Sequence, residues 1–257
     1  MKHIEKKYLN QKLLTEEEKN QLSAKVMPYD DRVNNVKFDS SKQVAFVVSE
    51  NDYVVQAFQF RENGKTRFIP EPDQVLIYFN SAYNCWKQIS VLKTSLLDKT
   101  EPAGQMNEGT ENEIYNLFGQ TSGFIIFLFS AIEAFLNRMI PNEFEYKEER
   151  KNRTEVYDKF QIQRHLSFDV KYSKILPEIT GKDFKTNFPQ KHTILWNLKE
   201  FRDDLIHPKQ DQAHNSYEQI SKKALKFKFE KTLEVVRDYL NYYQTDLIVE
   251  CKCGHDF

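Results

Sequence analysis

The sequence predicts a mainly α-helical protein, a bundle of long amphipathic helices with a small antiparallel β-sheet near the N-terminus. Three observations support this fold class. Glycine and proline are scarce, at 7 and 8 of 257 residues, while aromatic residues make up 14%, which favours long helices over a turn-rich sandwich. Two long segments carry apolar residues at helical spacing. One short region is instead rich in β-branched and aromatic residues beside an Asn-Gly pair.

The charge balance and the cysteines narrow the function classes. Lysine plus arginine number 37 against 38 aspartates and glutamates, so any RNA binding must rest on a local basic patch. The odd set of Cys85, Cys251 and Cys253 argues against a disulfide framework and predicts a reducing, cytoplasmic location. The first residues are too polar for a signal peptide.

The first two predicted regions are an N-terminal helical arm, residues 1–27, and a β appendage, residues 28–70. The arm has a thin apolar seam that includes Leu13, and Thr15 before three glutamates resembles a helix start. The arm either lies on another element or subunit, or is a solvated terminal helix. In the appendage, Asn63 and Gly64 favour a tight turn between antiparallel strands. We expect about three strands, serving substrate recognition or dimerisation.

Residues 71–250 form the predicted helical bundle. Asp73–Asp98 has one apolar face, and the polar loop 99–110 after it is the most natural domain boundary. The next predicted helix, Glu111–Ile140, contains the most apolar run of the chain, Gly123–Leu136. That run is too short to span a bilayer and is interrupted by an acid, so it predicts a buried central helix and no membrane segment.

The central helix carries a polar stripe of Ser130, Glu133 and Asn137, spaced three and four apart. A stripe of this kind on an apolar helix needs a polar partner opposite. Arg202 is the expected partner, so Glu133 either pairs with Arg202 or orients His207. The alternative is that Glu133 only satisfies a buried arginine and takes no part in chemistry.

The region between the central helix and residue 190 predicts short elements. An extended piece at Glu143–Tyr146 and the charged run 147–153 precede a helix that Thr154 would cap. A second short helix, Tyr172–Ile179, ends at Gly181. A basic, aromatic loop follows, which either binds phosphates and stacks bases or is a lysine-rich loop anchored by its phenylalanines; its members are Lys182, Phe184, Lys185, Phe188, Lys191 and His192.

The last predicted helix, Ser216–Val249, clusters lysines in its first half, either as a solvated face or as a phosphate-binding rim. The tail, residues 251–257, offers the soft ligands Cys251, Cys253 and His255. A structural zinc site wants four ligands at suitable spacing, so the sequence predicts no metal and no cofactor.

The segment that carries the functional prediction runs from Leu195 to Pro208. Its apolar residues recur at helical spacing, and Arg202 falls inside their arc whereas Asp203 falls outside it. A buried guanidinium needs a partner. A residue before proline is pushed out of the helical region, so we expect the helix to end at Ile206 or His207.

An arginine, a polar residue and a histidine in the order Arg202, Asp203, His207, closing an amphipathic helix, resemble the RxxxxH signature of the HEPN superfamily. The segment Ala131–Asn137, with Glu133, is similar to the first core helix of several HEPN families. The resemblance spans about residues 110–245 and implies an HEPN-like helical bundle.

The resemblance also implies a function: a metal-independent endoribonuclease that works as a homodimer with the motif helix at the interface, in phage defence or a toxin–antitoxin system. Catalysis would fall to His207 for proton transfer and Arg202 for phosphate stabilisation, with Asp203 or Glu133 holding one of them. An antitoxin or a nucleotidyltransferase is a possible partner. The alternatives are a non-catalytic HEPN-like module that binds nucleotide, RNA or protein, and an unrelated helical assembly protein.

Overall fold

The computed structural model describes residues 2–8, 12–13, 15–17, 45–48, 53–100, 108–151, 153–207 and 215–253. It divides the chain into two compact units, Lys6–Asp73, and Met1–Glu5 with Gln74–Phe257. Helices dominate and the sheets are small, so the predicted mainly α fold class is confirmed.

The unit Lys6–Asp73 is built on an antiparallel sheet. Its strands are β1 (Lys12–Leu13), β2 (Ala45–Val48), β3 (Tyr53–Glu62) and β4 (Lys65–Pro70), and β3 pairs with each of the others. The β3–β4 turn has positive φ at both central residues, 53° at Asn63 and 75° at Gly64, as a two-residue hairpin requires.

The predicted sheet and its hairpin are thus confirmed, whereas one part of the predicted arm is wrong. Leu13, which was expected on the apolar seam of a helix, lies in β1 and pairs with Tyr53. The residue that pairs with Leu13, Tyr53 in β3, is distant in sequence, so local spacing could not indicate this strand.

Two long helices begin the other unit, α1 (Gln74–Lys99) and α2 (Thr110–Met139). They pack along each other, and α2 is the central helix that the apolar run predicted, with Phe124, Leu128 and Phe135 fully buried. By length and composition α2 is also apolar enough to cross a membrane, a property that the core helices of water-soluble proteins share.

A β-hairpin occupies the charged run, where no strand pair was predicted. Strand β5 (Tyr146–Arg150) pairs with β6 (Arg153–Tyr157). Glu148 and Glu155 lie directly opposite each other, and Arg150 bridges them at 2.8 and 3.0 Å, which offsets the repulsion between like charges.

The predicted cap at Thr154 is therefore wrong, because Thr154 lies in β6 and donates to Glu149 Oε2 at 3.0 Å. Helix α3 (Lys159–His165) begins later, at a capping box in which Asp158 and Gln161 exchange side-chain and backbone hydrogen bonds.

The next helix is interrupted by a π-helical turn. Helix α4 (Phe168–Val170) runs through the π turn (Lys171–Ile175) into α5 (Leu176–Thr180). Gly181 ends it in the left-handed conformation at φ 67°, as predicted. The short α6 (Phe184–Asn187) leads to the motif helix α7 (Pro189–Ile206), which has proline at its first position.

The predicted last helix is in fact two helices, α8 (Asn215–Lys226) and α9 (Phe229–Tyr243). Phe227 and Phe229 both make edge-to-face contacts with Phe124, and their ring centroids lie 6.5 and 5.2 Å from that of Phe124. Residues two apart on an α-helix point about 200° apart, so both rings can reach Phe124 only if the helix breaks. Lys93 Nζ donates to the carbonyl of Leu225 at 2.7 Å and satisfies one end of α8.

Candidate functional site

Helix α7 places the predicted residues at its C-terminal end. The helix ends at Ile206, as the proline rule predicted, and the His207 backbone N–H donates to the carbonyl of Asp203 at 2.9 Å. Leu195, Leu198 and Phe201 are buried and fix the helix against the core. Arg202 and Asp203 therefore sit on a helix that is packed against the core, and His207 directly follows its last turn.

The Arg202 side chain contacts two other side chains. Its guanidinium carbon lies 5.1 Å from the ring centroid of Phe129 on α2, and its Nη1 donates to Asp203 Oδ1 at 3.0 Å. The Arg202 side chain remains 28% exposed. One face of the cation is thus covered by an aromatic ring, while part of the guanidinium stays open to solvent.

Asp203 is shared between two cations. Its Oδ2 accepts from Lys199 Nζ at 3.1 Å, and Lys199 Nζ also lies 3.7 Å from Asp169 Oδ1 at the start of α4. Partial burial works against ionisation of Asp203, but hydrogen bonds from Lys199 and Arg202 outweigh it and lower the pKa of Asp203. Asp203 is therefore a carboxylate at neutral pH, suited to orienting Arg202 rather than to moving protons.

Lys199 and Asp169 also belong to the ion-pair network around Asp203, although the sequence did not predict them there. Burial works against the charge on Lys199, yet Asp203 and Asp169 raise its pKa. Its Nζ also lies 5.2 Å from the Trp196 ring. The four-residue spacing of Lys199 and Asp203 was a readable signal, whereas Asp169, thirty positions earlier, left none.

His207 is exposed, and in the described part of the chain its imidazole makes no hydrogen bond or ion pair. Neighbouring Ile206 is 41% exposed, a large apolar side chain at the same helix end. An imidazole that is exposed in this way can approach a bound molecule or a second copy of the chain.

Glu133 does not join Arg202. Among the described residues, Arg202 pairs with Asp203 alone, and the cation that Glu133 faces is the buried Lys171. Burial lowers the pKa of Lys171 and the charge of Glu133 opposes that effect. Lys171 Nζ donates to Asn137 Oδ1 at 3.1 Å. The polar stripe of α2 thus does have a polar partner, but that partner lies in the π turn rather than in α7.

The N-terminal half of α7 contributes to an aromatic stack. Tyr172 stacks between His192 and Tyr239, at centroid distances of 5.5 Å each, and its hydroxyl lies 3.0 Å from His192 Nδ1. Burial, helped by the charge of Lys185, lowers the pKa of His192. This histidine is a neutral packing group at physiological pH.

The basic, aromatic loop is mostly engaged in internal contacts. Phe184 is buried against Tyr239 and Tyr242. Lys182 Nζ donates to the carbonyl of Tyr242 at 3.1 Å, and Lys191 pairs with Asp238 at 2.8 Å. These contacts favour the anchoring interpretation over the phosphate-binding one.

Comparisons with protein-family models, with curated proteins and with solved structures found no match to this chain. The functional proposal therefore rests on the chemistry of the C-terminal end of α7 itself. This end combines an oriented, partly exposed arginine with an exposed histidine.

Proposed function

We propose that the chain is a metal-independent endoribonuclease of the HEPN type. The observation that carries the proposal is the C-terminal end of α7. Arg202 is held by Asp203 and Phe129 yet keeps an exposed face, and exposed His207 lies at the same helix end. A fixed cation for phosphate beside a titratable imidazole is the pair of groups that RNA cleavage needs.

In the proposed reaction the ribose 2′-oxygen attacks the adjacent phosphorus. A new oxygen–phosphorus bond forms while the bond to the 5′-oxygen breaks, giving a 2′,3′-cyclic phosphate and a 5′-hydroxyl. His207 moves a proton, either from the 2′-hydroxyl or to the leaving oxygen, and Arg202 neutralises charge on the phosphate oxygens. Asp203 keeps the guanidinium oriented. Glu133 stays a predicted contributor that acts at most through Lys171.

The proposed active form is a homodimer in which two α7 ends face each other. One chain supplies one histidine, whereas cleavage uses both a base and an acid. The exposure of Ile206 beside the motif supports burial of this helix end against a second copy. Four catalytic side chains would then share one cleft, in a cytoplasmic enzyme of phage defence or of a toxin–antitoxin pair, with an antitoxin or a nucleotidyltransferase as possible partner.

The test is cleavage of RNA by purified protein in EDTA. We expect the wild type to cut and to leave 2′,3′-cyclic ends, and His207→Ala and Arg202→Ala each to lose at least roughly 100-fold in rate. Circular dichroism at the assay temperature checks that every sample is folded.

The chain offers matched controls in Arg164 and His165, which are exposed at the end of α3. Arg164 lies over Phe160 at 5.5 Å, much as Arg202 lies over Phe129. Arg164→Ala and His165→Ala should cut like the wild type. Cleavage that survives both motif substitutions would place the active site elsewhere.

A non-catalytic binding module is the second candidate, and one observation favours it. Arg202 already has an acid and an aromatic ring as partners within its own chain, so it can be structural. In that case wild-type protein cuts no RNA and is no more toxic on expression than His207→Ala, while labelled RNA still binds in fluorescence anisotropy.

A further inference from the structure

Three metal-ligating side chains from distant parts of the sequence meet beside α9. The ligand atoms of His3, Cys251 and Cys253 all lie within 4.8 Å of one another. His3 Nε2 and Cys253 Sγ are 3.3 Å apart, although 250 positions separate the two residues. The fold, rather than a local sequence motif, therefore creates the cluster.

Backbone pairing brings the two segments together. Ile4 and Glu250 form an antiparallel bridge, the Glu5 N–H donates to the Val249 carbonyl at 2.8 Å, and the Cys251 N–H donates to the His3 carbonyl at 2.8 Å. Ile4 is only 1% exposed, so its side chain anchors this pairing in the core.

The second segment is also held by α9. The Asn241 side chain exchanges two hydrogen bonds with the backbone of Ile248, at 2.8 and 2.9 Å, and Arg237 pairs with Glu250 at 2.9 Å. The cysteines thus follow directly after a backbone that is fixed from two sides. Preorganised ligands of this kind lose less conformational entropy when they bind an ion.

We propose that His3, Cys251 and Cys253 bind a zinc ion. Zinc bound at about 2.3 Å by sulfur and about 2.0 Å by nitrogen in a tetrahedron holds its ligand atoms about 3.5–3.8 Å apart. The pair of His3 and Cys253 already has close to this spacing, and small side-chain rotations bring Cys251 to it. The imidazole is buried at 7% exposure, whereas Cys253 is exposed, so an ion can enter from solvent.

The ligand set selects the class of metal. Two thiolates and an imidazole are soft or borderline donors, which suit zinc and exclude calcium and magnesium, whose ligands are oxygens. Two thiolates cancel the charge of the ion, so the bound site is neutral. Three protein ligands leave one tetrahedral position for water or another donor. Because the ion joins residues 3 and 251 across most of the chain, its binding should stabilise the fold.

The test uses protein stripped of metal and kept reduced, then titrated with Co²⁺ and Zn²⁺. We expect one Co²⁺ per chain, with thiolate-to-cobalt charge-transfer absorption and the strong visible bands of a tetrahedral site, all displaced by Zn²⁺. At about 100-fold excess over Kd, zinc should raise the Tm by about 5 °C.

Cys251→Ser, Cys253→Ser and His3→Gln are the test variants, and Cys85→Ala is the control. Cys85 lies on α1, away from the cluster, and burial raises the pKa of its thiol. Loss of an outer partner of a ligand alone costs about 10–100-fold in metal affinity, so each cluster variant should lose at least that much while Cys85→Ala loses nothing.

Two results would overturn the proposal. One is wild-type protein that takes up no cobalt and gains no stability with zinc, in which case the Cys253 thiol only hydrogen-bonds the imidazole. The other is equal loss of binding in Cys85→Ala and in the cluster variants. Circular dichroism of the metal-free variants separates lost ligation from misfolding.

Discussion

The two halves of α7 differ in chemistry although they belong to one helix. Residues 189–198 place His192 in an aromatic stack with Tyr172 and Tyr239. Residues 199–207 place Arg202 and Asp203 in an ionic network that solvent can reach. In the first half the buried side chains and the aromatic stack fix the helix against the core, with an ion pair near its start. The second half carries more charged groups than packing requires. Substitutions in the first half should therefore mainly affect stability, and substitutions in the second half should mainly affect function.

The largest effect on stability should come from Leu198→Ala, at the end of the packed half. Leu198 is fully buried, so the substitution should lower the free energy of unfolding by about 2–5 kcal/mol. Arg202→Ala should cost about 1 kcal/mol, because its ion pair and its contact with Phe129 are partly exposed. Urea unfolding followed by circular dichroism measures both.

Asn197→Ala is the matched control on the exposed face of the same helix and should change stability by no more than about 0.5 kcal/mol. If Arg202→Ala proved as destabilising as Leu198→Ala, the two halves would not differ as argued.

The next effect should come from Lys199→Met, which removes the cation between Asp169 and Asp203 while keeping an apolar stem beside Trp196. We expect a loss of about 1 kcal/mol near neutral pH. Because the folded pKa of Asp203 is lowered, its contribution is present above the ordinary pKa of aspartate, about 3.9, and is lost as pH falls through the folded value.

In Lys199→Met the pKa of Asp203 moves back towards its ordinary value, so the acid-induced loss of Tm should be smaller than in the wild type. Thermal unfolding from neutral pH to about pH 3 tests this. An unchanged slope would mean that other carboxylates dominate.

A smaller effect should come from His192, the histidine in the aromatic stack of α7. The folded pKa of His192 is lowered by burial, so its contribution is present above about pH 6.5 and is lost as pH falls through the folded value. His192→Phe should keep the stacking and reduce the loss of Tm between neutral pH and pH 5.

His207→Ala, at the exposed helix end, should leave the Tm at neutral pH unchanged. Equal pH profiles for His192→Phe and the wild type would contradict the assignment of His192 as a neutral packing group.

Tyr239→Phe should have the smallest effect. Tyr239 is fully buried, and in the described part of the chain its hydroxyl has no hydrogen-bond partner. Removing the hydroxyl should therefore leave stability unchanged or raise it by about 1 kcal/mol. A loss of 2 kcal/mol or more in urea unfolding would instead reveal a partner for that hydroxyl.

The sequence predicted best where one residue type or one periodicity decides the structure. Asn63-Gly64 predicted the β3–β4 turn, Gly181 predicted a helix end, and Pro208 predicted the end of α7 at Ile206 or His207. The burial of α2 followed from its composition. Each of these signals is local, so a few neighbouring residues are enough to recognise it.

Predictions failed where distant residues decide. The β5–β6 hairpin needs Arg150 to offset the repulsion between two facing glutamates, and a charged run in the sequence does not indicate this pairing. The break between α8 and α9 depends on Phe124, about a hundred positions earlier. Of the candidate site, Arg202, Asp203 and His207 were placed correctly on one helix end, whereas the partner of the α2 stripe came from Lys171, which no sequence spacing pointed to.

The π turn at Lys171–Ile175 fixes the phase of the helix on either side of it. Tyr172 and Leu176 face the main core cluster, and Ile175 faces a second cluster with Ile140, Tyr146 and Ile162. A π turn takes up one residue more than an α-helical turn, so deleting exposed Ser173 would convert it into an ordinary turn and leave the phase of the helix after it unchanged. Elsewhere in the same helix, deleting one residue would rotate everything after it by about 100° and exchange the side chains that face the two clusters. The wide turn is therefore a place in this helix where one residue can be lost without repacking either cluster.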